Sequence, residues 1–274
     1  MNGRLIFCAV LLVINVTASA AQKAQQACTT LFAVVHPNAQ PYDWRAADNG
    51  MMQGLSLDVL QELGKKAQLT IKTMPTTNAE KALREVRSGR VDLIIGVHDV
   101  SEESSRLDYL YPAYAQQDYR IWVRTGEQAS LKQWPQLSGL RGVRVFEPKQ
   151  LPDFDIQAQL FSWPMQGVQD NKIATQMVLD GQADYLIAEH NQQQLALQQA
   201  HQLELFEVIE PSVASRELHV ALSKDSACND EVLRNKLSKA LLEMSKGDAQ
   251  SKRLDDAMQR WQTQHSSDSP AKSE

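Results

Sequence analysis

One motif occurs twice in this chain and constrains its fold more than any other feature. The motif is a glycine, an aspartate three residues later, and then a short apolar run. The copies are Gly89-Arg90-Val91-Asp92 before Leu93-Ile94-Ile95 and Gly181-Gln182-Ala183-Asp184 before Tyr185-Leu186-Ile187. Each run is too short for a helix and lacks polar alternation, so each predicts a strand buried on both faces. A helix-like segment precedes each copy, which predicts two similar α/β lobes.

Polar side chains follow each of these two strands. Gly96, His98 and Asp99 come after the first strand, and Glu189 comes directly after the second. In open α/β sheets the ligand crevice lies beyond the carboxyl ends of the strands. The sequence therefore predicts a binding site that contains these residues.

Hydrophobic periodicity predicts the remaining elements. Strands are expected over 30–35, 69–72, 119–124, 140–146 and 218–222, and helices over 59–64, 77–88, 171–179, 191–202, 230–244 and 253–261. Three tyrosines surround a proline between Tyr109 and Tyr114, which favours an ordered turn over a strand. The apolar stripe of the helix over 230–244 is expected to consist of Val232, Leu233, Leu237 and Leu241.

The order of these elements predicts a first lobe from 28–120 plus 216–262 and a second lobe from 121–215. The chain would cross between the lobes near residue 120 and return over 207–215. Residues 263–274 are polar, have no apolar anchor, and are expected to form a disordered tail.

The first twenty residues have the composition of a secretory signal peptide. Arg4 precedes the apolar stretch from Leu5 to Ile14, and Ala18-Ser19-Ala20 matches a cleavage site, so the mature chain would begin near Ala21. Export would place Cys28 and Cys228 in an oxidising compartment, where a disulfide is the simplest interpretation. Two buried free thiols are the alternative.

Charge and motif content narrow the class of function. The net charge is −5 and the chain has no cluster of basic residues, which argues against a nucleic-acid partner. His36 and His98 lie at strand ends, but no third ligand of suitable spacing accompanies them, so hydrogen-bonding histidines are favoured over a metal site. We expect neither a metal nor another cofactor.

Five segments, in this order, resemble the periplasmic solute-binding proteins of ABC importers, in the group that binds amino acids and similar polar solutes. They are Pro41-Tyr42, Gly54-Leu55-Ser56-Leu57-Asp58, Ser88 to Gly96, Asp108-Tyr109-Leu110-Tyr111-Pro112, and Gly181-Gln182-Ala183-Asp184 with Glu189. The resemblance implies an α/β fold of type II, in which two lobes, each a mixed sheet flanked by helices, are joined by two hinge strands and close on a ligand. It also implies a monomeric receptor with a membrane permease as its partner.

The resemblance assigns roles to particular residues. Glu189 occupies the position whose carboxylate receives a ligand amino group. The family's arginine that binds the ligand carboxylate would fall at the position of Ser104. Arg106 could take over this role only if the loop shifts. The alternative is that Arg106 forms an ion pair on the surface. Tyr42 or Trp44 would replace the usual stacking aromatic, because Ala39 stands at that position, or they could simply cap a loop against the core.

Other departures from the family pattern affect the expected ligand. Residues 147–150 replace a Gly-Thr/Ser pair that usually binds the ligand carboxylate, and Asp99 replaces a small or hydroxyl residue. With Glu189 and Asp99 both in the cleft, a cationic or amine-bearing ligand becomes a reasonable hypothesis. Two alternatives to a transport receptor remain: a secreted dehydratase-like enzyme, with Glu189 or His98 transferring a proton, and a soluble sensory module.

Overall fold

The computed structural model describes residues 28–36, 40–46, 48–99, 103–127, 134–145 and 151–265. The predicted signal peptide, Ala39, residues 147–150 and most of the predicted tail lie outside these ranges. The strands are β1 (Thr30–Val35), β2 (Trp44–Arg45), β3 (Met52–Gln53), β4 (Thr70–Pro75), β5 (Leu93–Val97), β6 (Leu107–Arg124), β7 (Gly142–Val145), β8 (Met165–Val168), β9 (Tyr185–Glu189) and β10 (Phe206–Ser223). The helices are α1 (Leu55–Lys66), α2 (Ala79–Arg87), α3 (Pro152–Leu160), α4 (Asn171–Leu179), α5 (His190–Gln199), α6 (Glu231–Met244) and α7 (Ala249–His265).

A mixed eight-stranded sheet runs through both halves of the molecule in the order β4-β1-β5-β10-β6-β9-β7-β8. Strands β4, β1 and β5 are parallel in one half, and β8, β7 and β9 are parallel in the other. The antiparallel strands β6 and β10, of 18 residues each, pass through both halves. The predicted α/β class, with a mixed sheet flanked by helices, is confirmed. The two predicted sheets are joined into one continuous ladder.

The two copies of the motif perform the same structural task. Gly89 and Gly181 follow α2 and α4 with φ angles of 68° and 70°, a conformation that ends a helix and that glycine adopts without strain. Asp92 accepts a hydrogen bond from the backbone N–H of Phe32 at 2.8 Å, and Asp184 accepts one from Arg141 N–H at 2.7 Å. Each aspartate therefore fixes the start of a new strand to a neighbouring segment of the same sheet.

Each half of the sheet has its own apolar core. In the first half, α1, α6 and α7 cover one face around Leu63, Leu93 and Leu237, and α2 covers the other around Val86 and Ile94. In the second half, α3 packs on one face through Phe154, and α4 and α5 pack on the other through Val178 and Leu197. Each large apolar side chain that is fully buried in this way stabilises the folded protein by about 1.5–3 kcal/mol.

Several sequence expectations differ from the structure in how they place a residue or a segment. The segment Tyr109 to Tyr114 lies inside β6, where Leu110 and Tyr114 are buried in the core and pairing with β10 shifts register around Pro112. A proline is tolerated at such an irregularity because no ladder bond needs its missing N–H. Val232 does not belong to the apolar stripe of α6, since its side chain is 75% exposed. Helix α7 continues to His265, three residues into the predicted tail.

A disulfide joins Cys28, just before β1, to Cys228, just before α6, with a Cα–Cα distance of 5.6 Å. The alternative of two free thiols is therefore excluded. Because the residues are 200 positions apart, the chain-entropy model gives this bridge up to roughly 5 kcal/mol of stabilisation.

Candidate functional site

Glu189 ends β9 and begins α5, and its carboxylate is 3% exposed. One oxygen, Oε2, accepts the backbone N–H of Gln192 at 2.8 Å and so caps the helix. The other, Oε1, accepts hydrogen bonds from the Tyr42 hydroxyl at 3.1 Å and the Asn191 side-chain amide at 3.3 Å. Glu189 thus connects the second half of the molecule to a loop of the first half.

Tyr42 is held in that loop by backbone contacts with the start of α1. The carbonyls of Pro41 and Tyr42 accept the N–H groups of Leu55 and Ser56, each at 3.1 Å. Gly54 has a φ of 131° and lies against the Tyr42 carbonyl, leaving no space for a side chain there. The conformation of the Gly54 motif therefore sets the direction of the Tyr42 ring toward Glu189.

Asp43, Ser56 and Tyr114 form a second buried polar group beside Tyr42. The Ser56 hydroxyl donates to Asp43 Oδ2 at 2.9 Å and lies 3.0 Å from the Tyr114 hydroxyl. Gly96, at the carboxyl-terminal part of β5, faces this group: a side chain there would begin 3.6 Å from Asp43 Oδ2. Asp43 Oδ1 is buried and has no hydrogen-bond partner among the described residues.

Burial changes the protonation of both carboxyl groups. Desolvation raises the pKa of Glu189 to about 7, against an opposing effect of its bonds with Gln192, Asn191 and Tyr42. Desolvation also raises the pKa of Asp43 to about 7, against the hydrogen bond from Ser56. Within the described ranges, neither carboxylate forms an ion pair with a lysine or arginine. A positively charged group would therefore favour the ionised form of both.

The two candidate aromatic residues have different environments. Tyr42 contacts Glu189, as described above. Trp44 is buried between α5 and α7 against Leu195 and Trp261, and its indole N–H donates to Gln264 at 3.0 Å. This position matches the alternative interpretation of Trp44, an aromatic that caps a loop against the core.

His98 and Asp99 contact β6 and β10, and their described hydrogen bonds do not involve Glu189 or Asp43. His98 Nδ1 lies 2.8 Å from the Glu217 carbonyl, and Asp99 accepts a hydrogen bond from the Tyr111 hydroxyl. Burial, followed by the charge of Arg216, lowers the pKa of His98 to about 4, so its imidazole is neutral near pH 7.

Arg106 lies at the other end of the sheet. It precedes Leu107, which pairs with Ser223 next to the amino end of β5, whereas Gly96 lies near the carboxyl end of that strand. Its guanidinium is 3.7 Å from Asp225, and the side chain is exposed. This position matches the alternative interpretation, in which Arg106 forms an ion pair on the surface. It corrects the expectation that Arg106 replaces the family's carboxylate-binding arginine, whose position is occupied by Ser104.

Sequence reasoning did not single out Asp43, Tyr114 or Asn191 as site residues. Ser56 was recognised only as part of a family segment. The available signal was the position of Asp43 directly after Tyr42, in a loop that follows a strand.

Two further kinds of feature are absent from the described residues. No group of three or more His, Cys, Asp or Glu side chains in those ranges could hold a metal ion. None of the helices there has the length and apolar character needed to cross a membrane.

Comparison with known proteins gave a family match and structural neighbours. The model of the bacterial extracellular solute-binding proteins, family 3, matches residues 31–264. No curated protein sequence matches the chain.

Many solved structures, among them the following three, are similar in fold to this chain. An amino acid ABC transporter substrate-binding protein of Streptococcus pneumoniae, bound to L-arginine, is 16% identical with a TM-score of 0.62, covering 85% of this chain and 96% of that one. The second substrate-binding domain of GlnP from Lactococcus lactis, in an open conformation, is 16% identical with a TM-score of 0.66, covering 84% and 96%. An ancestral amino acid-binding protein, described as a precursor of cyclohexadienyl dehydratase, is 19% identical with a TM-score of 0.59, covering 84% and 95%. The predicted two-lobed type II fold is thereby confirmed.

Proposed function

We propose that this chain, which belongs to family 3 of the bacterial extracellular solute-binding proteins, is a receptor that binds a small amine-bearing solute between two closing lobes. In this proposal the lobes have the predicted boundaries, 28–120 plus 216–262 and 121–215. The signal peptide directs the chain to the periplasm, where it acts as a monomer and delivers the solute to the permease of an ABC importer. No chemical conversion of the solute is needed for this role.

One observation carries the proposal. The buried carboxylate of Glu189 projects from the second lobe and contacts Tyr42 of the first lobe at 3.1 Å. A ligand that reaches this contact touches both lobes at once, and only such a ligand can favour closure over opening. An ammonium or guanidinium group suits this position, because it supplies the positive charge that a buried carboxylate needs.

The first test is a thermal-shift screen with amino acids, polyamines and organic acids. A solute at roughly 100 times its dissociation constant should stabilise the protein by about 2.7 kcal/mol. Stabilisation by amine-bearing solutes supports the proposal, whereas stabilisation by organic acids alone contradicts it. The bound solute is then recovered and weighed by mass spectrometry, since an unchanged mass supports a receptor and a changed mass supports an enzyme.

The second test is Glu189→Gln, which keeps the shape of the side chain and removes its charge. We expect the affinity for the amine found in the screen to fall by roughly 10- to 100-fold, the range for a hydrogen bond to a charged group. Glu204→Gln, an exposed position of the same lobe, is the control and should bind like the wild type. Unchanged affinity in Glu189→Gln would remove this residue from the site.

A further inference from the structure

Asp43 is a buried carboxyl group with one unpartnered oxygen. Only 7% of the residue is exposed, Oδ2 accepts the Ser56 hydroxyl, and Oδ1 is buried with no hydrogen-bond partner in the part of the chain that the structure describes. Leaving a buried polar atom unpaired destabilises a protein, and the cost is larger for a charged group. Buried carboxylates of purely structural importance are normally hydrogen-bonded. The free oxygen of Asp43 therefore indicates a partner supplied from outside the protein.

The position of Asp43 connects it to the proposed ligand site. It is the residue after Tyr42, whose hydroxyl contacts Glu189, and Gly96 faces its Oδ2 atom. Ser56 and Tyr114 hold the other side of the carboxylate in place. The first lobe therefore supplies the carboxylate of Asp43 and the second lobe that of Glu189. Tyr42 lies between them, because its hydroxyl contacts Glu189 and Asp43 is the next residue in the chain.

We propose that Asp43, positioned by Ser56 and Tyr114, binds a positively charged group of the ligand. Since Glu189 binds one such group from the second lobe, the solute carries two separate positive charges, as a diamine or a basic amino acid does. This inference rests on the proposed receptor function and deepens it. The two carboxylates select a dication over a monocation, because a ligand with one charge leaves one of them buried and unpaired.

The experiment compares probes that differ by one amino group. The pairs are 1,5-diaminopentane with 1-aminopentane and L-lysine with L-norleucine, each titrated calorimetrically into the wild type, Asp43→Asn and Asp225→Asn. Asp225 is an exposed aspartate of the same lobe whose partner is Arg106, at the other end of the sheet, so its variant is the matched control. We expect the wild type to prefer one of the dications by at least about 100-fold, and Asp43→Asn to reduce this preference by about 10-fold or more. Asp225→Asn should keep it.

The outcomes separate the inference from the function on which it rests. Equal wild-type affinity for the two members of a pair, or a preference unchanged by Asp43→Asn, overturns the role of Asp43 and leaves the receptor function standing. If no amine or amino acid binds to the wild type, both are overturned. Circular dichroism tests whether Asp43→Asn is folded. If that variant is unfolded, Tyr114→Phe, which removes the hydroxyl that holds Ser56, should reduce the preference for the dication several-fold, and an unchanged preference overturns the inference.

Discussion

Asp43 and Glu189 are carboxyl groups whose protonation depends on folding. Both are buried without an ion-pair partner in the described chain, and burial raises the pKa of each to about 7 from an ordinary value of about 4. Between these two pH values the folded state binds more protons than the unfolded state. Their favourable effect on folding is therefore complete below about pH 4 and is lost as the pH rises through 7.

This linkage predicts a stability difference that is specific to Asp43. Between pH 5 and pH 8, Asp43 should lower the free energy of unfolding of the wild type by on the order of 3 kcal/mol. Asp43→Asn, which cannot ionise, should lack this part of the profile. It should keep the contribution of Glu189 and the opposing contributions of His36, His98 and His190, whose pKa values are lowered by burial. Urea unfolding at pH 5, 6, 7 and 8 measures both profiles. Parallel profiles for the two proteins would show that Asp43 does not titrate in this range.

Among the helices and strands, the sequence predicts best those whose bounds are determined by neighbouring residues. Strand β1 and helix α4 have the predicted bounds, 30–35 and 171–179. These segments carry their own signals: a β-branched run, a capping residue or an apolar period. Helix α3 and strand β8 lack such clear signals and were not predicted.

The candidate site was only partly predictable because its contacts join distant parts of the chain. Glu189 follows from the end of a buried strand, but its partner Tyr42 is 147 positions away. Tyr114 was not predicted as a site residue, because the sequence predicts a turn from Tyr109 to Tyr114. The segment is a strand because it pairs with β10, which is distant in the sequence. Arg106 was considered from its spacing alone, and spacing does not reveal to which end of the sheet a loop leads.

Helix α6 offers a direct test of the corrected apolar stripe. Leu233 is 6% exposed in the core, whereas the adjacent Val232 is 75% exposed. Leu233→Ala should lower the free energy of unfolding by about 2–5 kcal/mol through lost burial and a cavity. Val232→Ala should change it by less than about 0.5 kcal/mol. Chemical denaturation measures both, and a comparable loss in the two variants would restore Val232 to the stripe.

In the whole molecule, the two halves are connected in two different ways. Strands β6 and β10 run through both halves and join them covalently. Away from these strands, Trp44 of the first half and Trp261 of α7 form a buried cluster with Leu195 of α5, which belongs to the second half. A hydrogen bond of 2.7 Å from Gln262 to Gln198 lies beside them. Because α7 is anchored on the first half through Ala257 and an ion pair of Arg260 with Asp58, this cluster links the halves outside the strands.

This second connection predicts different effects for two leucines of one helix. Leu195 packs against Trp44 and Trp261, whereas Leu197, two residues later, packs only within the core of the second half. Both truncations to alanine should lower the free energy of unfolding by about 2–5 kcal/mol. Only Leu195→Ala should also favour separation of the lobes, because it removes a contact that exists only while they are together, and a smaller closed population weakens the apparent affinity for the ligand. Small-angle X-ray scattering should then give a larger radius of gyration for Leu195→Ala than for Leu197→Ala, and calorimetry a lower affinity. Equal radii and equal affinities in the two variants would mean that the cluster stabilises the fold without influencing lobe closure.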